Sequence, residues 1–164
     1  MKKVAIIMGS DSDLPVLKPA FKVLKNFGIE FTVRVLSAHR TPAQAEEFSK
    51  TAYENGYGCL ICAAGKAAHL AGVMAANTAL PVIGIPVKSS TLDGLDSLLS
   101  TVQMPKGVPV ATVAIDGAEN AALLAVQMMA ISDTELYQKL VDFKKKTEQE
   151  ILEKDAEIMS KIEL

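Results

Sequence analysis

The sequence predicts a single-domain, three-layer α/β/α sandwich around a central parallel sheet, closed by a long helix at its carboxyl end. Three observations carry this. Short apolar runs alternate with helical periodicity from residue 3 to residue 131, the pattern of β-α units whose strands are buried on both faces. The chain has 164 residues and 49% hydrophobic content, enough for one substantial core, and nothing in its composition asks for two. Finally, residues 133–162 are charged but keep an apolar stripe, as a helix lying outside a sheet would.

Residues 3–8 read as a buried strand, ended by the small polar turn Gly9-Ser10-Asp11-Ser12. A helix is expected over 13–27, with Leu14, Leu17, Phe21 and Leu24 on one face, Ser12 as cap and Gly28 as its end. Pro15 is tolerated because first-turn amides have no intrahelical partner. The next unit repeats the design, with a strand over 30–36, a loop from Ser37 to Thr41 and a helix over 42–55. Thr41, Pro42 and Gln44 suit the cap, first-turn and reciprocal-capping positions, and Asn55-Gly56 stops the helix.

Gly58 to Ala63 form the third expected strand, and an Ala-rich helix is expected over 67–77. Pro81 to Pro86 supply the fourth strand, followed by the polar turn Lys88-Ser89-Ser90-Thr91 and a short helix over 94–102. A fifth strand over 109–115 and a helix over 118–131 complete the alternation. Leu136, Leu140, Phe143, Thr147, Ile151, Ile158 and Ile162 trace the stripe of the last helix, which either packs on another protomer or stands in solvent. The expected division is a catalytic core of residues 1–132 and a helical extension of the same domain, residues 133–164, used in assembly.

A formal charge of −2 and a pI near 5.7, without a basic tail, give no support to a nucleic-acid or anionic-membrane surface. The basic-then-apolar start breaks at Gly9 before a signal segment forms, and no 18-residue apolar span follows. Cys59 and Cys62 would point to opposite faces of a strand, and with His69 they do not complete a four-ligand zinc signature. Buried thiols in a reducing cytoplasm are expected, rather than a disulfide or a metal pair.

In a parallel sheet the loops after the strands gather at one edge. Ser10 and Asp13, Ser37 to Arg40, Gly65 to His69, and Ser89 to Thr91 can therefore share a crevice. Within Ser37-Ala38-His39-Arg40-Thr41-Pro42, histidine can exchange a proton, arginine can fork onto an anion and serine can donate to an oxygen. The same residues also suit a capped, solvated turn. Gly9 to Asp13 can cradle a phosphate through backbone amides, but form neither a Walker loop nor a G-x-G-x-x-G fingerprint. Asp13 suits a helix first turn as well as ribose hydroxyls, His69 suits a structural hydrogen bond as well as a substrate, and Lys66 suits solvent as well as an anion.

Taken together, Gly9-Ser10-Asp11-Ser12-Asp13, the Ser37–Pro42 segment and Ala67-Ala68-His69-Leu70 resemble the bacterial type of N5-carboxyaminoimidazole ribonucleotide mutase of purine biosynthesis. Val102 to Gly107 and Asn120 to Ala125 also match its pattern, and the resemblance runs over residues 3–145. It implies a flavodoxin-like fold, a homo-octamer, and His39 and His69 as the catalytic residues. Ser10, Asp13, Ser37, Ala38, Arg40, Gly65, Lys66, Ala67 and Leu70 would bind the phosphorylated aminoimidazole ribonucleotide. The family commonly has glycine where this chain has Lys66, and proline where it has Ala71.

The implied reaction moves a carboxylate from the exocyclic nitrogen to ring carbon 4, through carbon dioxide held in the site, with His39 alternating as acid and base and with no metal or organic cofactor required. Two other functions fit parts of the pattern. One is direct carboxylation of aminoimidazole ribonucleotide by free carbon dioxide. The other is a non-catalytic phosphate or nucleotide sensor, which leaves the two histidines without a role.

Overall fold

A computed structural model describes residues 2–162; Met1, Glu163 and Leu164, which the expected core and extension also span, lie outside the described residues. Strands β1 (Lys3–Met8), β2 (Phe31–Val35), β3 (Tyr57–Gly65), β4 (Val82–Val87) and β5 (Ala111–Thr112) form one parallel sheet in the order β2-β1-β3-β4-β5. Six α-helices join or follow them: α1 (Leu14–Phe27), α2 (Pro42–Thr51), α3 (Leu70–Ala76), α4 (Leu95–Val102), α5 (Ala118–Ala130) and α6 (Thr134–Lys161). This is the doubly wound, flavodoxin-like order, whose switch point opens between β1 and β3.

Strand alternation divides the interior. Val4, Ile6, Met8, Cys59, Ile61, Ala63, Ile83 and Ile85 face one way and pack with Leu17, Leu24, Ala121, Ala125, Leu136 and Leu140 of α1, α5 and α6. Ala5, Ile7, Leu60 and Cys62 face the other way, toward Ala45 of α2 and Leu70, Ala71 and Met74 of α3. Cys59 and Cys62 thus sit on opposite faces as free buried thiols. Burial pushes Cys59 up to about 12 and raises Cys62 as well.

Several boundaries differ from expectation for local reasons. Ser10, not Ser12, is the capping residue: its Oγ accepts the Ser12 amide at 3.4 Å and starts a 3-10 turn, Asp11–Asp13, ahead of α1. Leu14 is exposed, and Ala20, Val23 and Phe27 join Leu17 and Leu24 in the buried face. Helix α2 ends at Thr51 because residues 52–56 turn back onto β3, closing through Gly56 at φ 83°. Helix α3 begins only at Leu70, since β3 runs on to Gly65 and Lys66 takes a left-handed φ of 56° that no helix continues. Strand β5 shrinks to two residues; Pro109 has no amide to give the ladder, and Asp116, at φ 57°, turns the chain toward α5.

The stripe of α6 has two parts. Leu136 and Leu140 are buried and Phe143 packs edge-on to Phe27 at 5.8 Å, whereas Ile151, Leu152, Ile158, Met159 and Ile162 are exposed. Among the described residues no helix is long and apolar enough to cross a membrane.

Candidate active site

The carboxyl ends of β1 to β4 surround a cleft of about 460 Å3. The expected catalytic and substrate-binding residues all line it, namely Ser10, Asp13, Ser37, Ala38, His39, Arg40, Gly65, Lys66, Ala67, His69 and Leu70, whereas Ala68 is buried and Thr91, also expected at this edge, does not line it. Gly9, Ser12, Ala64, Val87, Lys88, Ser89 and Ser90 also line it. Gly9 and Ser12 belong to the expected phosphate-cradling turn and Ser89 and Ser90 to the expected edge, whereas only a position at a strand end could have flagged Ala64, Val87 and Lys88.

The loop after β2 is tied to itself. Thr41 does not cap α2; its Oγ1 accepts the Ser37 amide at 2.8 Å and donates to the Ser37 carbonyl at 3.1 Å. Gln44 makes no reciprocal cap bond among the described residues. Ser37 Oγ accepts the Arg40 amide at 3.1 Å, which leaves its own hydrogen available to an oxygen in the cleft. These bonds fold residues 37–41 so that His39 and Arg40 project outward, both exposed.

Arg40 reaches across to the loop after β1, where Nη2 donates to the Gly9 carbonyl at 3.0 Å. One edge of its guanidinium is thereby fixed beside Ser10, and the remaining donors, which have no partner among the described residues, can face an anion. On the other flank, residues 67–69 form a turn in which the His69 amide donates to the Ala67 carbonyl at 2.9 Å. His69 sits at the amino end of α3, and its Nδ1 lies 2.8 Å from His39 Nε2. The rings are nearly perpendicular, at 84°. The two histidines, thirty positions apart, meet at the cleft that both line.

Asp13 is only 8% exposed, under the cleft floor. Burial pushes its carboxyl above the ordinary value of 3.8, opposed by hydrogen bonding from Ser10 and Ser12 and reinforced by the charges of Asp11 and Asp116. A buried carboxylate at a cleft wall suits hydroxyl donors, which satisfy it without adding charge.

The loop after β4 is held from outside the cleft. Asp116 Oδ1 accepts the Lys88 amide at 2.8 Å, and Lys88 Nζ pairs with Asp93 at 3.3 Å. Among the described residues no group of three or more His, Cys, Asp or Glu side chains is arranged to hold a metal ion. The side chains that line the cleft offer proton exchange at the histidine pair and anion binding at Arg40, and the loop amides offer anion binding as well.

Residues 3–150 match the family model described as AIR carboxylase. The chain is 58% identical to the N5-carboxyaminoimidazole ribonucleotide mutase of Pyrococcus abyssi, over 88% of this chain and 83% of that one. It is also 55% identical to the phosphoribosylaminoimidazole carboxylase of Saccharomyces cerevisiae, over 92% of this chain but 26% of that one. Among solved structures, Treponema denticola PurE superposes with a TM-score of 0.85 at 31% identity, covering 94% of this chain and 96% of that one.

Proposed function

The chain belongs to the AIR carboxylase family and is an enzyme, and from that premise we propose how its cleft works. Its reaction is the mutase step of purine biosynthesis, conversion of N5-carboxyaminoimidazole ribonucleotide to 4-carboxy-5-aminoimidazole ribonucleotide. The hydrogen bond between His39 and His69 is the observation that carries the mechanism. At 2.8 Å one nitrogen holds the hydrogen and the other a lone pair, so the bond survives while the pair carries no charge or one positive charge.

Arg40, Ser10 and the amides of the β1 loop take the phosphate, and Asp13 takes ribose hydroxyls. Ser37, Ala38, Gly65, Lys66, Ala67 and Leu70 wall the imidazole. The carbamate N–C bond then breaks, releasing carbon dioxide, and the exocyclic nitrogen takes a proton from protonated His39. Ring carbon 4 attacks the retained carbon dioxide, and His39, now neutral, removes the ring proton to restore aromaticity. The proton given in the first half returns in the second, so the cycle needs no co-reactant. His69 holds the His39 ring in orientation through both halves. Retention of carbon dioxide matters because escape would turn a local recombination into a dilute encounter.

Direct carboxylation of aminoimidazole ribonucleotide is the second reading, favoured by the high identity to the yeast carboxylase. The mutase is preferred because the mutase relative is matched over most of its own length, whereas the carboxylase is matched over a quarter. Turnover of the two purified substrates separates them: faster use of aminoimidazole ribonucleotide with carbon dioxide would overturn the mutase assignment. Residues 1–132 form the catalytic core in this proposal, with 133–164 as the extension through which a homo-octamer assembles. The exposed apolar residues of distal α6 support self-association. The reaction is placed in the cytoplasm, where the free buried thiols of Cys59 and Cys62 accord with a reducing environment.

A further inference from the structure

Three cations line the cleft, and they are not equivalent. Lys88 is paired with Asp93, and Arg40 is held by the Gly9 carbonyl on the β1 side. Lys66 alone among them has neither anchor within the described residues, and it lies on the β3 loop, three positions before His69. Its backbone sits at φ 56°, a conformation that favours glycine, so a long charged side chain is presented where the fold would be better served by none. The cleft thus has two positive poles, one beside the β1 loop and one on the β3 loop that also carries His69.

A ligand with two anionic groups matches that layout. Resting on the mutase reading, we propose that Lys66 is a specificity-determining residue that binds the migrating carboxylate, as carbamate before transfer and as ring carboxylate after it. The phosphate is served by Arg40 and the β1 loop, so the second pole distinguishes carboxylated ribonucleotides from aminoimidazole ribonucleotide, which has only the phosphate. The same charge holds both ends of the reaction and has no anion to hold while the carboxylate is carbon dioxide.

The test is calorimetric titration of aminoimidazole ribonucleotide and its 4-carboxy derivative into the wild type, Lys66→Asn and Lys66→Arg. Asparagine tolerates the left-handed backbone, so the first variant removes charge without forcing the loop. Loss of one charge-assisted contact should weaken the carboxylated ligand about tenfold in Lys66→Asn while changing the other by less than about twofold. Lys66→Arg should restore the selectivity. Equal weakening of both ligands, or no change in either, overturns the proposal, and retained binding of the uncarboxylated ligand reports that the variant is folded. A wild type that binds both ligands yet does not interconvert the carboxylated isomers would instead overturn the mutase reading.

Discussion

His39 Nε2 stands 2.8 Å from His69 Nδ1 across two loops that belong to different strands, and this bond can hold only one hydrogen. If both rings were protonated, two N–H groups would face each other and the bond would be lost. The two rings therefore act as one hydrogen-bonded unit that holds a single hydrogen between them.

The first prediction concerns that unit. His39→Asn should lower isomerisation by roughly 10²–10⁴-fold, the usual contribution of a positioned acid-base group, while ribonucleotide binding remains measurable. His69→Asn should cost about tenfold through loss of orientation alone. Because the two act together, the double variant should be scarcely worse than His39→Asn. Steady-state kinetics on the four proteins gives the answer, and near-wild-type turnover by His39→Asn would remove it from proton transfer.

Asp13 carries the second. A carboxyl whose pKa is higher in the folded chain than in the unfolded one binds its proton more tightly when folded. Its contribution to stability is thus greatest at low pH and declines as pH rises from the ordinary 3.8 through the raised folded value. At neutral pH the charged, 8% exposed Asp13 is a net cost to folding. Asp13→Asn should raise the melting temperature at pH 7 by about 2–4 °C, a shift of the size ~1 kcal/mol produces in such a chain. It should also raise KM about tenfold or more, through the lost hydroxyl acceptor. A lower melting temperature would mean that Asp13 serves the start of α1 instead.

What could be read in advance follows the strength of the local signal. The five strands and six α-helices were legible because apolar runs and helical periodicity alternate cleanly, and the cleft followed because loops after parallel strands share an edge. The start of α3 was not legible, because Ala67 and Ala68 are good helix formers whose propensity is overridden by the left-handed turn at Lys66. That departure positions His69 on the cleft. The ties of Thr41 to Ser37 and of Asp116 to Lys88 were also hidden, since a hydroxyl or carboxylate does not announce which amide it will meet. Lys88 and Val87 entered the cleft wall only through the geometry of β4.

Gly84 gives a third prediction, on packing behind the cleft. A methyl added there would collide with Thr101 Cγ2, come within 3.0 Å of Val110 Cγ1 and meet Ala71 Cβ at 3.3 Å. Gly84 is the absence of a side chain that lets α4 lie on β4. Gly84→Ala should therefore destabilise by about 1–3 kcal/mol in urea titration. Thr101→Ser removes the first obstacle and keeps the hydroxyl that donates to the Ser97 carbonyl at 2.7 Å. The double variant should recover about half the loss, because these contacting sites couple. Additive losses would show that the clash is absorbed elsewhere.

The last prediction separates the two halves of α6. Leu136, Leu140 and Phe143 are tied to the α1–α5 layer, and Asp133 caps the helix by accepting the Leu136 amide at 2.9 Å. Removing everything after Ser132 would strip those contacts from the core and confuse folding with assembly. Removing residues 147–164 leaves them intact and deletes Ile151, Leu152, Ile158 and Met159, each more than half exposed. A helix carrying such residues beyond the core gains little from this chain alone, since isolated helical turns are marginal in water. In the proposed assembly, burial of those side chains on another protomer, at about 25 cal/mol per Å2, would supply the missing stabilisation. The shortened chain should keep a cooperative unfolding transition and lose assembly, read as a lower mass by light scattering. An unchanged mass would leave distal α6 without a role in assembly and transfer that role to another surface.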